Sequence, residues 1–561
     1  MERINQMKTV DIDLCSIQEA RNLVKEGKCA SDKIAAYSDE QIDAILRNIV
    51  ETVEANAYYL ADMAVEETGF GKLADKAYKN YAASTLLYDE IKDCKTSGIV
   101  DFDESKKIFR VAEPMGVLLG ITPSTNPTST IIFKTMIAIK SRNAIVFAPH
   151  PSAKRCSIAT ADLLRKAAVK AGAPEHIIGC VTNPTLQATN ELMHAKDISL
   201  IIATGGPGMV RAAYSSGKPA IGVGAGNSPA YIEKTANVKK AVARIVASKT
   251  FDNGTICASE QAIICEESNK EEVLQELKVQ GCYLMTKEET DKVCRVLFRG
   301  DSKGCNPSMN PTFVGQSAIA IANAVGLSVP ENTKILIGPQ AGVGQGNPLS
   351  FEKLTTVLGF YVVKNWEEAC TLSIRLLQNG IGHTMSIHTE DPEIIFRFSR
   401  KPASRILINT GGSQGGTGIS TGLPIAFTLG CGTDGGSSVS DNLTPEHLVN
   451  IKTVAYGLKD VTHIIAEDDY FQSLPKAAYF HPLTETVNCS LSPIIQDKAD
   501  KRAGEKKLFL KQTPQEIQTN FEQQQGQQTA VLDDSVAQAS TQTQADNEAI
   551  VREILSALRH K

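Results

Sequence analysis

The N-terminal part of the chain carries apolar residues at helical spacing. After Ser38, a residue type that caps helix N-termini, the apolar positions of one helical face are Ile42, Ile45, Leu46, Ile49 and Val53. This pattern predicts amphipathic helices over residues 16–75, with the apolar stripe in the core. From 98 to 115 the pattern becomes charged and β-leaning, which predicts an exposed hairpin of the kind that pairs subunits.

From Gly116 onward, short apolar strands alternate with helices. The strand segments are GVLLGITPS, AIVFAPH, HIIGCVTN, ISLIIATGG and AIGVGAG. This alternation is typical of an α/β fold with a doubly wound parallel sheet, whose ligands bind at the carboxyl ends of the strands. The polar motifs 122–126, 149–151 and 204–207 each follow such a strand, so we expect them at that edge of the sheet.

The segment FDNGTICASEQAIICE, residues 251–266, presents a candidate nucleophile. Cys257 follows the turn-prone pair Asn253-Gly254 and precedes a β-type run, so its thiol is predicted at the mouth of a strand, where substrate can reach it. Cys265 lies inside the apolar run and is predicted to be core. Because most cysteines are small buried hydrophobes, Cys257 needs support from the rest of the chain.

Two glycine-rich segments are candidates for phosphate binding. GVGAGN, residues 222–227, lacks the third glycine of the dinucleotide fingerprint and fails as such a site. Gly205-Gly206 closes a strand and opens a helix whose free N–H groups favour an anion, although a glycine pair is also common in tight turns. His383 and His388 lie five residues apart in different local settings, so no metal site is predicted.

Composition narrows the range of functions. With 42% hydrophobic and 22% charged residues among 561, the chain has globular composition and room for roughly three or four domains. A formal charge of -5 argues against nucleic acid or an anionic membrane as the main ligand. The 13 cysteines include no CxxC pair, and neither a secretory nor a membrane-spanning segment is apparent, so a soluble cytoplasmic protein is expected.

The C-terminal part changes composition twice. Residues 466–512 are hard to assign and are taken as an uncertain small subdomain, whereas 513–545 are rich in Gln, Thr, Ser and Ala, which predicts a disordered linker. Residues 546–561 share one apolar helical face, formed by Ile550, Val551, Ile554, Leu555 and Leu558. A short amphipathic helix can pack on its own chain, but after such a linker we expect it to dock onto another protein.

With these motifs placed, residues 15–460 resemble the aldehyde dehydrogenase superfamily. Within it they are most similar to the CoA-acylating branch, which includes propionaldehyde dehydrogenases and the aldehyde half of bifunctional alcohol/aldehyde dehydrogenases. The motifs that carry the resemblance are PSTNPTS, ATGGPGMV, VGAGNSP, NGTICASEQ, FEKLTTVLGFY, GHTMSIH and LGCGTDGG. Their occurrence in the family's order makes the resemblance specific.

The resemblance implies a cofactor domain, an α/β catalytic domain and a β oligomerisation flap. The implied parts are N-terminal helices of the cofactor domain (1–97), an oligomerisation hairpin (98–115), the nicotinamide-binding domain (116–234), the catalytic domain (235–434) and a late oligomerisation segment (435–465). The flap implies a homo-oligomer, either a dimer or a tetramer.

The resemblance also implies roles for individual residues. Cys257 is the nucleophile, and the Asn126 side-chain amide holds the oxyanion together with the Cys257 main-chain N–H. The residues implied at the NAD site are Thr122, His150, Thr204, Gly205, Gly206 and Glu352, the last on the nicotinamide ribose. His383 is implied near the CoA-facing pocket. Hydrolytic relatives carry Lys where this chain has Pro149-His150-Pro151, which leaves the choice between NAD and NADP open.

The absence of a carboxylate in residues 223–227 bears on whether water or CoA takes up the acyl group. Hydrolytic relatives place a Glu general base at the start of the stretch 223–227, and this sequence has none there. The resemblance therefore implies that CoA captures a Cys257 thioester, so that an aldehyde of two to four carbons, propionaldehyde first, reacts with NAD and CoA to give acyl-CoA and NADH. The alternatives are a hydrolytic dehydrogenase and an inactive scaffold protein kept for its tail.

The C-terminal helix resembles the encapsulation peptides that direct aldehyde-processing enzymes to bacterial microcompartments. This likeness implies a cytoplasmic enzyme inside such a compartment, with a shell protein as the partner of residues 546–561. Its few basic residues do not favour a membrane surface.

Overall fold

The computed structural model describes residues 11–300 and 307–474. One compact unit extends to Leu458 and a second begins at Lys459, of which residues 459–474, with the short helix Asp469–Ser473, are described. The predicted linker 513–545, the predicted helix 546–561 and most of the segment 466–512 lie outside the described residues.

Four helices open the described chain: α1 (Ile12–Ile34), α2 (Asp39–Thr68), α3 (Leu73–Tyr81) and α4 (Leu87–Ile91). The predicted cap of α2 is confirmed, because Ser38 Oγ accepts from the Gln41 N–H while the Gln41 side chain accepts from the Ser38 N–H. The predicted apolar stripe of α2 is buried. The helix ends at Gly69, whose φ of 71° suits glycine. The antiparallel hairpin of β1 (Gly98–Asp103) and β2 (Ile108–Pro114) follows.

A five-stranded sheet forms next, and all of its strand pairs are parallel. Its elements are β3 (Val117–Ile121), α5 (Pro127–Lys140), β4 (Ala144–Ala148), α6 (Lys154–Lys170), β5 (Ile178–Cys180), α7 (Leu186–His194), β6 (Ile198–Thr204), α8 (Pro207–Ser215) and β7 (Ala220–Val223). The strand order β5-β4-β3-β6-β7 reverses between β3 and β6, which places a ligand-binding crevice at their carboxyl ends. The predicted fold class is confirmed.

A seven-stranded parallel sheet follows, in the order β10-β13-β14-β9-β8-β15-β16. The elements of this region are β8 (Ser228–Ile232), α9 (Val238–Thr250), β9 (Glu260–Glu266), α10 (Lys270–Val279), β10 (Cys282–Leu284), α11 (Lys287–Leu297), β11 (Phe298–Arg299), β12 (Ser308–Met309), α12 (Ala318–Ala324), β13 (Ile335–Pro339), β14 (Val357–Val363), α13 (Trp366–Leu377), β15 (Gly382–His388), α14 (Pro392–Phe398), β16 (Ala403–Ile408) and α15 (Gly412–Gly416). Strands β11 and β12 form a separate antiparallel pair.

The chain changes sheets earlier than the sequence predicted. Strand β8 pairs with β9 and β15, so residues 228–232 belong to the second sheet, although the predicted boundary after residue 234 assigned them to the first domain. The crossing takes place at residues 224–227, where the chain passes close to the Cys257 turn.

A three-stranded antiparallel sheet adds β17 (Val449–Ala455) to the free edge of β2. It joins the predicted 98–115 hairpin to the predicted late segment. Large apolar side chains on it are exposed, with Ile99 at 60%, Phe102 at 59% and Ile451 at 50%. Assembly through this sheet stays a prediction. In the part of the chain that the structure describes, no helix is long and apolar enough to cross a membrane.

Candidate active site

A cavity of about 370 Å³ opens at the carboxyl ends of the first sheet. This volume lies in the range of small-molecule sites. The sequence-predicted residues on its wall are Thr122, Asn126, His150, Thr204, Gly205, Gly206, Cys257 and Glu352. The remaining predicted residue, His383, is not on the wall and lies behind Cys257. The structure therefore brings all of these residues into one region.

Cys257 lies in the turn between a short 3₁₀ helix, Phe251–Gly254, and strand β9. Its Sγ is 3.2 Å from Nε2 of His383, which is fully buried on β15. His383 and His388 share this strand, whereas the sequence analysis assigned them different local settings. Their spacing of five places them on opposite faces of the sheet, so they do not converge on one site. Cys265 is buried in β9, which confirms its predicted place in the core.

Both members of the Cys257–His383 pair are neutral at pH 7 in this state. The pKa of the Cys257 thiol is raised to about 12, chiefly because the protein encloses it and also by the nearby Glu352 and Cys431, while the Arg405 guanidinium acts to lower it. Burial lowers the pKa of His383 well below its ordinary value, and the positive charge of Arg405 acts in the same direction.

Two residues behind the pair hold the His383 ring. Nδ1 of His383 is 2.9 Å from Thr384 Oγ1, which accepts a hydrogen bond from Arg405 Nε at 3.1 Å. A second nitrogen of Arg405, Nη2, donates to the His383 carbonyl at 3.0 Å. The sequence analysis missed both residues. The available signal was a single arginine next to the apolar residues of the strand segment ASRILI.

Asn126 immediately precedes α5, and its side chain bonds to neighbouring segments and does not cap the helix. Its Nδ2 donates to the Thr255 carbonyl at 3.1 Å and to Thr125 Oγ1 at 3.2 Å, and its Oδ1 accepts from Lys79 Nζ. The lysine fixes which end of the amide is oxygen, because an ammonium group can only donate. The Asn126 N–H₂ group is thereby directed toward the Cys257 turn.

A buried charge cluster supports this arrangement. Lys76 and Lys79 both bind Asp252, and the exposed fractions of the three side chains are 2%, 1% and 0%. Burial raises the pKa of Asp252, but the charges of Lys79 and Lys76 outweigh it and the pKa is lowered overall. Thr255 Oγ1 also donates to Asp252, at 2.6 Å. The cluster therefore ties α3 to both Asn126 and the Cys257 turn, and the sequence analysis missed it.

The glycine segment before β8 has a steric role. A Cβ atom on Gly226 would lie 2.1 Å from the Cys257 carbonyl oxygen, so only glycine fits beside the turn. The Gly226 N–H donates to Glu352 Oε1 at 2.8 Å. Burial raises the pKa of Glu352 to about 7, against the Gly226 hydrogen bond and the charges of Lys249 and Lys353.

The outer predicted residues have weaker contacts. The Thr122 hydroxyl is buried on the cavity wall with no partner among the described atoms, and Thr204 Oγ1 is 3.3 Å from Thr428 Oγ1. Gly205-Gly206 precede α8, as predicted. His150 is exposed, with Nδ1 2.8 Å from Ser152 Oγ. Within residues 11–300 and 307–474, no group of three or more His, Cys, Asp or Glu could hold a metal ion.

Comparison with known proteins identifies the family of the chain. The model of the aldehyde dehydrogenase family matches residues 1–295. The chain is 44% identical over 495 residues to the bifunctional aldehyde-alcohol dehydrogenase AdhE of Escherichia coli strain K12, an alignment that covers 87% of this chain and 54% of that protein. The chain thus spans about half the length of the curated relatives that it matches first.

Two solved structures superpose on most of the chain. An acetylating aldehyde dehydrogenase from Geobacillus thermoglucosidasius has a TM-score of 0.78 and 48% identity, covering 80% of this chain and 99% of that one. A propionaldehyde dehydrogenase from the fucose utilisation bacterial microcompartment of Clostridium phytofermentans has a TM-score of 0.71 and 28% identity, covering 78% and 97%.

Proposed function

The chain belongs to the aldehyde dehydrogenase family, and from this premise we propose that it is a CoA-acylating aldehyde dehydrogenase. It oxidises a short aldehyde with NAD and CoA and releases acyl-CoA and NADH. The observation that carries this proposal is the Cys257 thiol on the cavity wall, with an imidazole nitrogen 3.2 Å behind it. A thiol so placed can add to the aldehyde carbon, and the adduct would become a thioester on loss of a hydride to NAD.

The cavity wall fits a dinucleotide. Gly205-Gly206 place the N-terminus of α8 at the cavity, where main-chain N–H groups suit a pyrophosphate, and the Thr122 hydroxyl is a buried group on this wall that lacks a protein partner. Thr204 and His150 would complete the site, with Glu352 on the nicotinamide ribose. NAD, when bound, supplies the acceptor for the hydride.

Residues of the chain would stabilise the negative charge that develops on the aldehyde oxygen and control the protonation of Cys257. Cys257 sulfur attacks the carbonyl carbon, and the oxygen that becomes negative needs donors, each worth about 3 kcal/mol in comparable sites. The Asn126 Nδ2 is such a donor once its hydrogen bond to Thr125 is exchanged for the oxyanion. The Cys257 main-chain N–H is the second. His383 is the side chain that contacts the sulfur directly and so controls its protonation.

Water is a poor competitor for the thioester. Of the described residues, Glu352 is the only carboxylate on the cavity wall, and its Oε1 accepts from the Gly226 N–H. The stretch 223–227 provides no second carboxylate. Without a positioned general base, the CoA thiol is the better nucleophile, so we favour acyl-CoA over the free acid made by a hydrolytic dehydrogenase.

The cavity wall also favours an uncharged, short aldehyde. Near Cys257 it is formed by Ile256, Leu354, Phe427 and Leu429, and no Lys or Arg lines the cavity within the described ranges. A carboxylate-bearing or sulfonate-bearing aldehyde would have no cation to pair with. We therefore propose a substrate of two to four carbons, with propionaldehyde first.

Exchange of the thiol tests the proposal. We expect Cys257→Ser to abolish NADH formation from propionaldehyde, because serine at its ordinary pKa is a far weaker nucleophile than a thiol. Cys265→Ser, in the core of β9, is the matched control, and its rate of NADH formation per amount of folded protein should equal that of wild type. Turnover by Cys257→Ser equal to that of wild type would contradict the proposal.

We further propose that residues 546–561 bring the enzyme to a microcompartment shell. Support comes from their apolar stripe and from the Clostridium phytofermentans relative, which belongs to a microcompartment. A fluorescent protein fused to 513–561 should localise to shells, and the double change Ile554→Asp and Leu558→Asp should disperse it. Unchanged localisation of an enzyme that ends at Lys511 would contradict this role.

A further inference from the structure

Arg405 is a buried cation without an anionic partner. Only 3% of its side chain is exposed, and no carboxylate oxygen of the described residues lies within salt-bridge distance. All five of its N–H donors are nevertheless used. The acceptors are Thr384 Oγ1, the carbonyls of His383, Gly430 and Ser440, and Asn442 Oδ1. Burying such a charge is costly unless a compensating charge forms nearby.

Among the described residues, the groups that can become anionic and act on Arg405 are the thiols of Cys431 and Cys257 and, after them, the Asp441 carboxyl. Arg405 stabilises the ionised forms of both Cys257 and Cys431, which face it from neighbouring segments. Among the residues that the structure describes, four titratable or charged side chains face the Cys257 sulfur: His383 from β15, Arg405 from β16, Cys431 from the loop after residue 429, and Glu352 from the loop before β14. Of these, Glu352 and Cys431 oppose ionisation of Cys257 and Arg405 favours it.

The hydrogen bonds between Arg405 and His383 have one consistent direction. Arg405 Nε can only donate, so Thr384 Oγ1 accepts from it. The Thr384 hydroxyl has one hydrogen, and its other neighbour within hydrogen-bond distance is His383 Nδ1. If Nδ1 carried the proton instead, the buried hydroxyl would be left without an acceptor, which is costly in the protein interior. Nδ1 is therefore the acceptor, and the neutral ring carries its hydrogen on Nε2, which faces the sulfur.

We propose that Arg405 and Thr384 are positioning residues that fix His383 as the Nε2–H tautomer, so that His383 donates a hydrogen bond to the Cys257 thiolate. His383 then stabilises the thiolate as a neutral donor and does not take up its proton, which is released to solvent. The inference deepens the proposed function, since it assigns how the nucleophile is prepared. It concerns the resting protein and can be tested without aldehyde, NAD or CoA.

Nitrogen NMR of the intact enzyme tests the tautomer directly. The full chain is labelled with [¹⁵N]histidine, solid-state spectra are recorded at pH 8, and the His383 signals are assigned by their loss in His383→Gln. We expect hydrogen on Nε2 and none on Nδ1. Hydrogen on Nδ1, or on both nitrogens, would overturn the proposal.

Loss of the hydroxyl tests the connection to the thiol. Thr384→Val should shift His383 toward the Nδ1–H form. It should also slow the reaction of Cys257 with iodoacetamide at pH 8, measured on the Cys257 peptide by mass spectrometry. Each unit by which the pKa of the Cys257 thiol rises should slow this reaction roughly tenfold. Thr384→Ser keeps the hydroxyl and should behave as wild type. Thr135→Val removes a buried hydroxyl that has no partner in the described structure, and it should also leave the rate unchanged. A slower rate in Thr384→Val with an unchanged tautomer, or no change in rate, would contradict the proposal.

Discussion

Replacement of Asp252 by Asn should strongly destabilise the enzyme. Asp252 is the buried anion shared by Lys76 and Lys79, and it also accepts from the Lys72 N–H and from Thr255 Oγ1. The amide would leave two buried lysines without a counter-charge. Breaking a buried pair in this way costs about 3–5 kcal/mol, a large share of the roughly 5–15 kcal/mol that holds a protein folded.

Thermal unfolding of the purified enzyme measures this cost. At about 1 °C per kcal/mol for a chain of this size, Asp252→Asn should lower the Tm by roughly 3–5 °C. Asp101→Asn is the matched control, because Asp101 pairs with Arg110 at 3.4 Å with both side chains more than half exposed. Such a surface pair contributes about 0–1 kcal/mol. Equal Tm values for the two variants would refute the argument that the cluster is structural.

The pH dependence gives an independent check on the same variant. The pKa of Lys79 is lowered to about 8, since burial disfavours its charge more than Asp252 restores it. Without Asp252 that pKa falls further, so below pH 8 the folded variant binds fewer protons than folded wild type. Its stability deficit should therefore shrink as the pH rises toward 8. In wild type the pKa of Asp252 is lower in the folded than in the unfolded protein. The stabilisation that Asp252 gives is therefore fully present above pH about 4, and it is lost as the pH falls through the pKa of the folded state.

Two further predictions concern the surroundings of the thiol. The pKa of Glu352 is raised to about 7, and its negative charge disfavours the Cys257 thiolate. The rate at which Cys257 is alkylated in Glu352→Gln should therefore equal the wild-type rate below pH 7 and exceed it above pH 7. Equal rates at pH 9 would contradict this. Gly226→Ala should cost about 1–3 kcal/mol in the free energy of unfolding and displace Cys257 from His383, because the new Cβ meets the Cys257 carbonyl oxygen. In Gly224→Ala the new Cβ meets no atom within 4 Å, so it is the stability control in the same thermal assay.

The sequence predicted the fold well where periodicity is strong. The α2 stripe, the Ser38 cap and the succession of buried strands follow from local spacing and residue type. The point at which the chain changes sheets did not follow, because the placement of β8 depends on pairing with β9 and β15, which are distant in sequence. The glycine run 222–227 fails as a dinucleotide fingerprint, and its actual constraint, the close approach of Gly226 to Cys257, did not follow from the sequence either.

The candidate site was predictable in its members and not in its contacts. Motifs at strand ends, together with the resemblance to the aldehyde dehydrogenase superfamily, identified eight residues that line one cavity. The contact between His383 and Cys257 joins residues 126 positions apart, and no local pattern records it. Lys79 and Arg405 were missed because charged residues are assumed to be solvated, whereas here the fold buries both beside the reactive groups.

NADH formed per active site in the absence of CoA is the most direct test of the central claim. Wild-type enzyme mixed with propionaldehyde and NAD should release about one NADH per Cys257 and then stop, with a propionyl group on the Cys257 peptide in the mass spectrum. Addition of CoA should discharge that group as propionyl-CoA and start steady turnover. Continuous NADH formation with free propionate and no CoA would show that water resolves the thioester, and would contradict the account.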